Sequence, residues 1–464
     1  MIKSLSNIAG EEEEQKEIKN VDLSTSVVDE ISIYNIHTKF QHNIILFWIS
    51  VTVILSPFAD TIFLPAIHTI ALDLKTNDEL VTLTVSVSLI SNGISCLIWG
   101  VISDRYGRNI TMRIGLALFI IFSIICGCAP NITVLIIFRV LQGATVSVTV
   151  IVGQGVIADI YPPGERGWAT GIFFVPVLVG AVGGPAIGGP LTYFFGWRST
   201  FILLAIISIF ILVAHVLIIP ETHQYKVLVK YSEKTIIESR DISEPRLVKP
   251  WLPLIYLTDL TILLYIVSAT VPFAFMMTDQ TLLTTLLAQK PYSFNEIQTG
   301  VSLLPLGLAA IIGCFLGGAL SDKANHYYTN NIPEGRLVPG LIGLILVPFG
   351  LAMYGWSFYF RLNAILPILS ATIVAFGQSI YRPGVSSYLT VTKQQHAATI
   401  VSVNTFLNHS IAGISILVAV LIYPTINIGM FFTILSGINI AAIIPACALT
   451  VTRIRSYNKN YQPI

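Results

Sequence analysis

The chain has 464 residues, of which 54% are hydrophobic and only 11% charged, and its mean hydropathy is +0.77. Soluble domains carry about 25% charged residues, so this composition excludes a water-soluble globule and points to a surface that faces lipid. The formal net charge of +1 is neutral on the question of a nucleic-acid partner, and no basic patch or nucleic-acid motif supports one.

Residues 1–42 are polar, with the acidic run Glu11–Glu14 and no apolar core behind Met1. They read as a disordered cytoplasmic tail, a solvated leader or a regulatory segment, and not as a secretory signal. A helix needs about 20 apolar residues to cross the hydrocarbon layer. Twelve stretches qualify: 44–66, 80–101, 112–129, 132–154, 168–191 and 199–220, then 259–281, 297–320, 337–358, 363–386, 397–420 and 427–452. They are numbered here as spans 1 to 12. Helices are the expected state, because an open strand in lipid leaves its backbone groups unsatisfied. The fold class expected is therefore an all-α membrane protein. Residues 43–220 form one six-helix bundle and 259–452 a second, with a cytoplasmic linker at 221–258 and a short C-tail at 453–464.

The linker carries Lys226, Lys230, Lys234, Arg240, Arg246 and Lys249. With the termini inside, the great majority of the 26 lysines and arginines fall on the cytoplasmic side, and only Lys75, Arg198, Lys290 and Arg361 fall outside. That bias places both termini in the cytoplasm. The run GVISDR at 100–105 ends span 2 and GALSDK at 318–323 ends span 8. The halves thus repeat with the same topology, the arrangement that puts a substrate site at the midplane between two bundles. The five cysteines lie in apolar stretches and read as small buried hydrophobes, with neither a disulfide framework nor a metal site. Asn131 opens a glycosylation sequon, but its loop is only a few residues long, which disfavours occupancy.

Several motifs are co-linear. Gly100, Asp104, Arg105, Gly107 and Arg108 stand in the run GVISDRYGR, and Arg139, Gln142 and Gly143 in LIIFRVLQG. Gly171, Gly180, Gly184, Pro185, Gly188 and Gly189 are spaced along span 5, and Asp159, Glu165 and Arg166 fall in DIYPPGERG. These runs resemble the signatures of the major facilitator superfamily, and within it the fungal twelve-span drug:proton antiporters. The resemblance covers the whole hydrophobic region and is closer in the first half. It implies a fold of two six-helix bundles, a charge network at the inner end of spans 2–4, and antiport. The second half departs from the pattern: Asn408 stands where such relatives commonly have Arg, Thr390 where they have Asp, and Asn109 replaces a usual basic residue.

The residues carry their own physics. Gly107 allows a tight inner turn, and Gly100 lets two helices approach. Asp104, Arg108 and Asp159 are costly at a membrane edge unless paired, so a charge network that latches the outward-open state is expected; the plainer alternative is that Arg105, Arg108 and Arg113 only set topology. Gly180 and Gly184 share a helix face, and Pro185 removes one backbone hydrogen bond. Asp60 in span 1 and Arg139 in span 4 both lie about 10 Å below the outer boundary, six and seven residues in, so a pair is geometrically possible. With Gln142, Thr145 and Thr149, Arg139 forms a polar stripe. Asp60 is read either as the site of the coupling proton or a cationic cargo, tuned by Arg139, or as a permanently paired structural anchor. Asn92, Gln378, Tyr381, Asn404, Asn408 and His409 are candidate cavity-lining residues. Asp259 and Asp279 read as ordinary residues at the two ends of span 7, and Arg382 lies near the inner end of span 10.

The expected function is proton-coupled export of small organic compounds by alternating access, with no cofactor and the proton gradient as energy source, since no phosphate-binding loop is present. A nutrient uniporter or symporter on the same scaffold, or a non-transporting membrane sensor, are the alternatives. No constellation of an enzyme is visible. The partners expected are the bilayer, protons and a small organic substrate, with the protein a monomer in the plasma membrane or an organelle membrane.

Overall fold

The computed structural model describes residues 38–162, 165–227, 229, 249–327, 333–392, 397–423 and 425–460. The expected N-tail, apart from its last residues, and most of the linker lie outside the described residues. Among those described, twelve helices are long and apolar enough to cross a membrane: Phe40–Asp73, Asp78–Tyr106, Arg108–Gly127, Ile132–Ile160, Trp168–Phe195, Arg198–Leu217, Leu260–Ala288, Glu296–Tyr327, Pro333–Tyr359, Ile365–Leu389, Ile400–Ile422 and Ile428–Ser456. They match the twelve expected spans in order, and most run longer than expected. Because their number is even, both ends of the membrane region emerge on one face, called here the tail side; the opposite face is the far side.

Polar side chains at the boundaries set the helix ends. Asn77, Asn131 and Asn295 on the far side each accept a hydrogen bond from a backbone N–H three residues on, at 3.0, 2.9 and 2.9 Å, and so start spans 2, 4 and 8. The sequon residue Asn131 is thereby a helix cap. Asp259 caps span 7 in the same way through Thr261 at 3.0 Å. Spans 2 and 3 turn at Gly107, whose φ of +94° is one that glycine adopts without strain.

Span 1 departs from its expected bounds of 44–66. It breaks into Lys39–Val53, Leu55–Thr61, a short 3-10 turn at Leu64–Ala66, and Ile67–Asp73. Pro57 and Pro65 lack the N–H that a continuous helix needs, and the polar end with His68, Thr69 and Asp73 hides the last two turns from a hydropathy reading. Span 12 also overruns: its helix continues to Asn460, so Arg453 belongs to the helix and not to a tail. There it binds Glu334 at 2.8 Å and Thr261 at 2.8 Å.

In the first half span 4 packs between spans 2 and 3, and span 5 lies along span 1; in the second, span 10 packs against spans 8 and 9, and span 7 against span 11. Between the halves, span 2 meets span 11 and span 5 meets span 8. Lipid-facing stripes remain outside, such as Ile202, Ile206, Ile209 and Val213 of span 6, each 46–58% exposed at helical spacing.

The contacts between halves gather on the far side. Gly413 of span 11 sits so close to span 2 that a Cβ would fall 2.5 Å from the Ser86 carbonyl, and one on Gly300 would fall 2.5 Å from the Pro185 carbonyl. Beyond them Gln289 of span 7 donates to Asp78 of span 2 at 2.9 Å, and the Thr69 hydroxyl donates to Glu296. His68 shares the Asp78 carboxylate at 3.1 Å. The polar part of this far-side seam was not foreseen: His68, Thr69, Asp78, Gln289 and Glu296 fall in stretches read as loop.

Candidate functional site

Arg139 is fully buried in span 4. Its guanidinium lies over the Phe63 ring, 4.2 Å from the centroid, with Phe201 at 5.9 Å, so apolar faces hold its plane. One terminal nitrogen donates to Gln142 at 2.7 Å and, at 3.4 Å, to the backbone carbonyl of Ala59; Gln142 in turn donates to Ser123 of span 3 at 2.7 Å. The other two guanidinium nitrogens have no partner among the described residues.

Asp60 is half-buried, and its Oδ1 is a buried atom without a partner. Asp60 and Arg139 are neighbours but form no ion pair: the guanidinium stops at the carbonyl next door. Their depth also differs from expectation. Because span 1 runs on to Asp73, Asp60 lies thirteen residues from the helix end, about 20 Å, and not six. Arg139 remains seven residues from Ile132. Thr145 and Thr149 return their hydroxyls to their own helix at 2.9 and 2.8 Å. The expected polar stripe therefore faces the bundle interior. What remains is an acid with a free oxygen beside a base with free N–H groups, two groups able to be apart or joined.

On the tail side Arg108 gathers the expected network. Its side chain donates to Asp159 at 2.7 Å, to Asp104 at 2.5 Å and to Ser103 at 2.6 Å. Glu221, unforeseen and at the start of the linker, accepts from the Arg108 backbone N–H at 2.8 Å. Nearby His223 is held below the usual histidine range by burial and by the Arg108 charge. All these residues belong to the first half and the start of the linker. Arg105, by contrast, is exposed and lies over the Tyr106 ring. In the second half the repeat partner of Asp104, Asp322, lies 3.8 Å from Arg336.

The span 5 glycines divide by neighbour. Gly180, Gly184 and Gly188 face span 1 at Ile54, Thr61 and Ile62, and Gly189 faces Glu296 and Gly300 of span 8. Pro185 lies within a continuous helix and lends its carbonyl to the contact with Gly300. One expectation needs correction: a Cβ on Gly100 would meet only Ile151 at an ordinary 3.8 Å, so Gly100 is not a close-approach site, and nothing approaches Gly171.

Among the expected lining residues, Asn92, Gln378 and Tyr381 are buried, at 1%, 4% and 1% exposure. Tyr381 is occupied with Ser268 at 2.7 Å. Asn404, Asn408 and His409 are half-buried. Asn408 accepts from Thr270 at 2.6 Å, and the Nδ1 of His409 lies 3.0 Å from the Thr405 carbonyl.

Two charged residues were misplaced. Asp279 is not at a helix end: span 7 runs to Ala288, and Asp279 is fully buried with neither carboxylate oxygen partnered among the described residues. Thr281 and Thr284 bond back to their own helix at 2.7 Å, which lets a polar-looking stretch continue as a span. A further repeat would have located it. Pro57-Phe58-Ala59 matches Pro272-Phe273-Ala274, which sets Asp60 level with Phe275 and Asp279 one turn beyond. Arg382 is likewise not terminal, lying seven residues before the end of the span at Leu389.

A family model described as Major Facilitator Superfamily matches residues 49–416. The chain is 28% identical to "Efflux pump radE" of Floropilus chiversii over 434 residues, covering 88% of this chain and 80% of that protein. It is 24% identical to "Multidrug transporter DTR1" of Candida glabrata over 466 residues, covering 90% and 86%. The structure resembles that of the xylose transporter XylE from E. coli, in a partially occluded inward-open conformation, with a TM-score of 0.64 at 15% identity over 86% of this chain and 97% of that one.

Proposed function

Because this chain belongs to the Major Facilitator Superfamily, we propose that it is a secondary transporter that exports small organic compounds in exchange for protons. It does so as a monomer, at the plasma membrane, with both termini cytoplasmic and the proton gradient as its energy source. The single observation that carries the reading is the open Asp60–Arg139 site. A carboxylate inside a membrane protein is costly and serves a pathway or a proton relay; this one has a free oxygen beside free guanidinium N–H groups. Likeness to relatives named efflux pump and multidrug transporter supports the export direction.

Exchange follows from two states of the pair. Ionised, Asp60 is stabilised by the adjacent cation; protonated, it leaves Arg139 to Gln142 and the aromatic rings. Rocking of the two halves then presents the site to one side at a time. The far-side seam supports the reading of the present state as inward-facing, and the Arg108 network, formed in this same state within the first half, fixes the ends of spans 2, 3 and 4. A growth-inhibition screen of a deletion strain and an overexpressing strain across drugs and organic acids tests the export reading. Sensitivity in the first and resistance in the second, for the same compounds, is the expected result. The reverse pattern, in which overexpression sensitises, would mark an uptake carrier.

A further inference from the structure

We propose that Arg382 is the anchor for a negatively charged group on the cargo, so that the compounds carried are organic anions with an apolar body, such as aromatic monocarboxylates.

Arginine stays charged under all ordinary conditions, and an intramembrane charge is normally paired. Arg382 has neither an ion pair nor a hydrogen bond with any described residue. Its guanidinium lies 5.7 Å from the Phe273 ring of span 7 and within electrostatic reach of Cys314 in span 8, and His409 of span 11 lies 5.8 Å from the same ring at a tilt of 58°. Spans 7, 10 and 11 therefore converge on this group. Span 11 meets span 2 of the first half, so Arg382 is held among helices that border the other half.

The acids that could neutralise it are engaged or distant. Asp60 lies beside Arg139 in the other half. Asp279, on the same half, sits six residues past Phe273, about 9 Å toward the far side, fully buried where Tyr354 donates to its backbone carbonyl at 3.0 Å. The translocation path thus keeps one uncompensated positive charge against an aromatic face. A carboxylate satisfies the charge and the fork of donors, and an apolar body on it is matched by Phe273. This assignment rests on the exporter reading in one respect: exchanging an anion outward for a proton inward moves two elementary charges down the membrane potential.

Binding to the purified full-length protein tests it, with benzoate, 1-naphthoate and octanoate set against their neutral amides and against benzylamine. At least one carboxylate is expected to bind tenfold or more tightly than its amide. Arg382→Gln should erase that preference, and Arg382→Lys should weaken it only severalfold. No charge preference in the native protein, or one that survives Arg382→Gln, overturns the assignment. If Arg382→Gln does not fold, Arg382→Lys decides: unchanged carboxylate affinity, with no loss of the planar fork's contribution, would equally count against it. Loss of coupling alone would touch only the exporter reading.

Discussion

Arg139 reaches the backbone carbonyl of Ala59 and stops one residue short of the Asp60 carboxylate. The acid that sequence spacing paired with Arg139 is its neighbour, and in the mechanism proposed above the gap between them is the variable that proton exchange would use. Arg139 keeps a planar partner set, Gln142 on its edge and Phe63 on its face, that an ammonium group cannot reproduce.

Arg139→Lys is therefore expected to reduce transport by about tenfold or more, equivalent to at least about 1.4 kcal/mol, with the protein still reaching the membrane. Gln142→Leu, which removes the acceptor of Arg139 and the donor to Ser123, should fall between native and Arg139→Lys. Initial rates normalised to surface protein check both.

The hinge at Gly107 makes a stability prediction. Its φ of +94° is strained for any residue with a Cβ, and the Cβ itself would fall 2.9 Å from the Glu221 carboxyl carbon. Gly107→Ala should cost about 1–2 kcal/mol, read as a lower melting temperature in detergent. Gly171→Ala, where nothing lies near, should be close to neutral.

The far-side seam predicts a shift of population. Gln289→Ala removes one hydrogen bond between halves, worth about 1 kcal/mol, which moves a two-state equilibrium roughly fivefold toward the far-side-open state. Labelling of a cysteine placed on the far side of span 7 should rise accordingly. Unchanged labelling would mean that the seam does not gate.

His223 gives a pH dependence with a definite sign. Burial first, and the Arg108 charge second, lower its pKa from the ordinary 6.5. Above about pH 6.5 the ring is neutral in folded and unfolded chain alike, so it contributes nothing there. As pH falls below that value the unfolded chain takes the proton first, and stability drops until the lower folded value is reached. His223→Gln should flatten the fall in melting temperature as pH drops below about 6.5.

How far the sequence carried the structure depends on what each residue contributes. The twelve spans were legible because lipid imposes a length and a composition that few residues contradict. Gly107, Asp104 and Arg108 were legible because a turn and two edge charges need one another. Asp279 was not, because the threonines of span 7 look polar in sequence yet satisfy their own hydroxyls in a helix. The seam of His68, Asp78, Gln289 and Glu296 was hidden for a related reason: polar residues at span ends resemble loops, and only tertiary contact distinguishes a gate from a loop. Sequence does not reveal where the Tyr381 hydroxyl is spent, because an aromatic in a span can turn it to packing, here against Ser268.

The central claim is that Asp60 carries the exchanged proton. Protein in liposomes, with an imposed pH gradient and a compound identified by the growth screen, measures it directly: the native transporter should accumulate the compound against its gradient, while Asp60→Asn should only equilibrate it, at a rate indifferent to pH. Uphill accumulation by Asp60→Asn equal to that of the native protein would contradict the account.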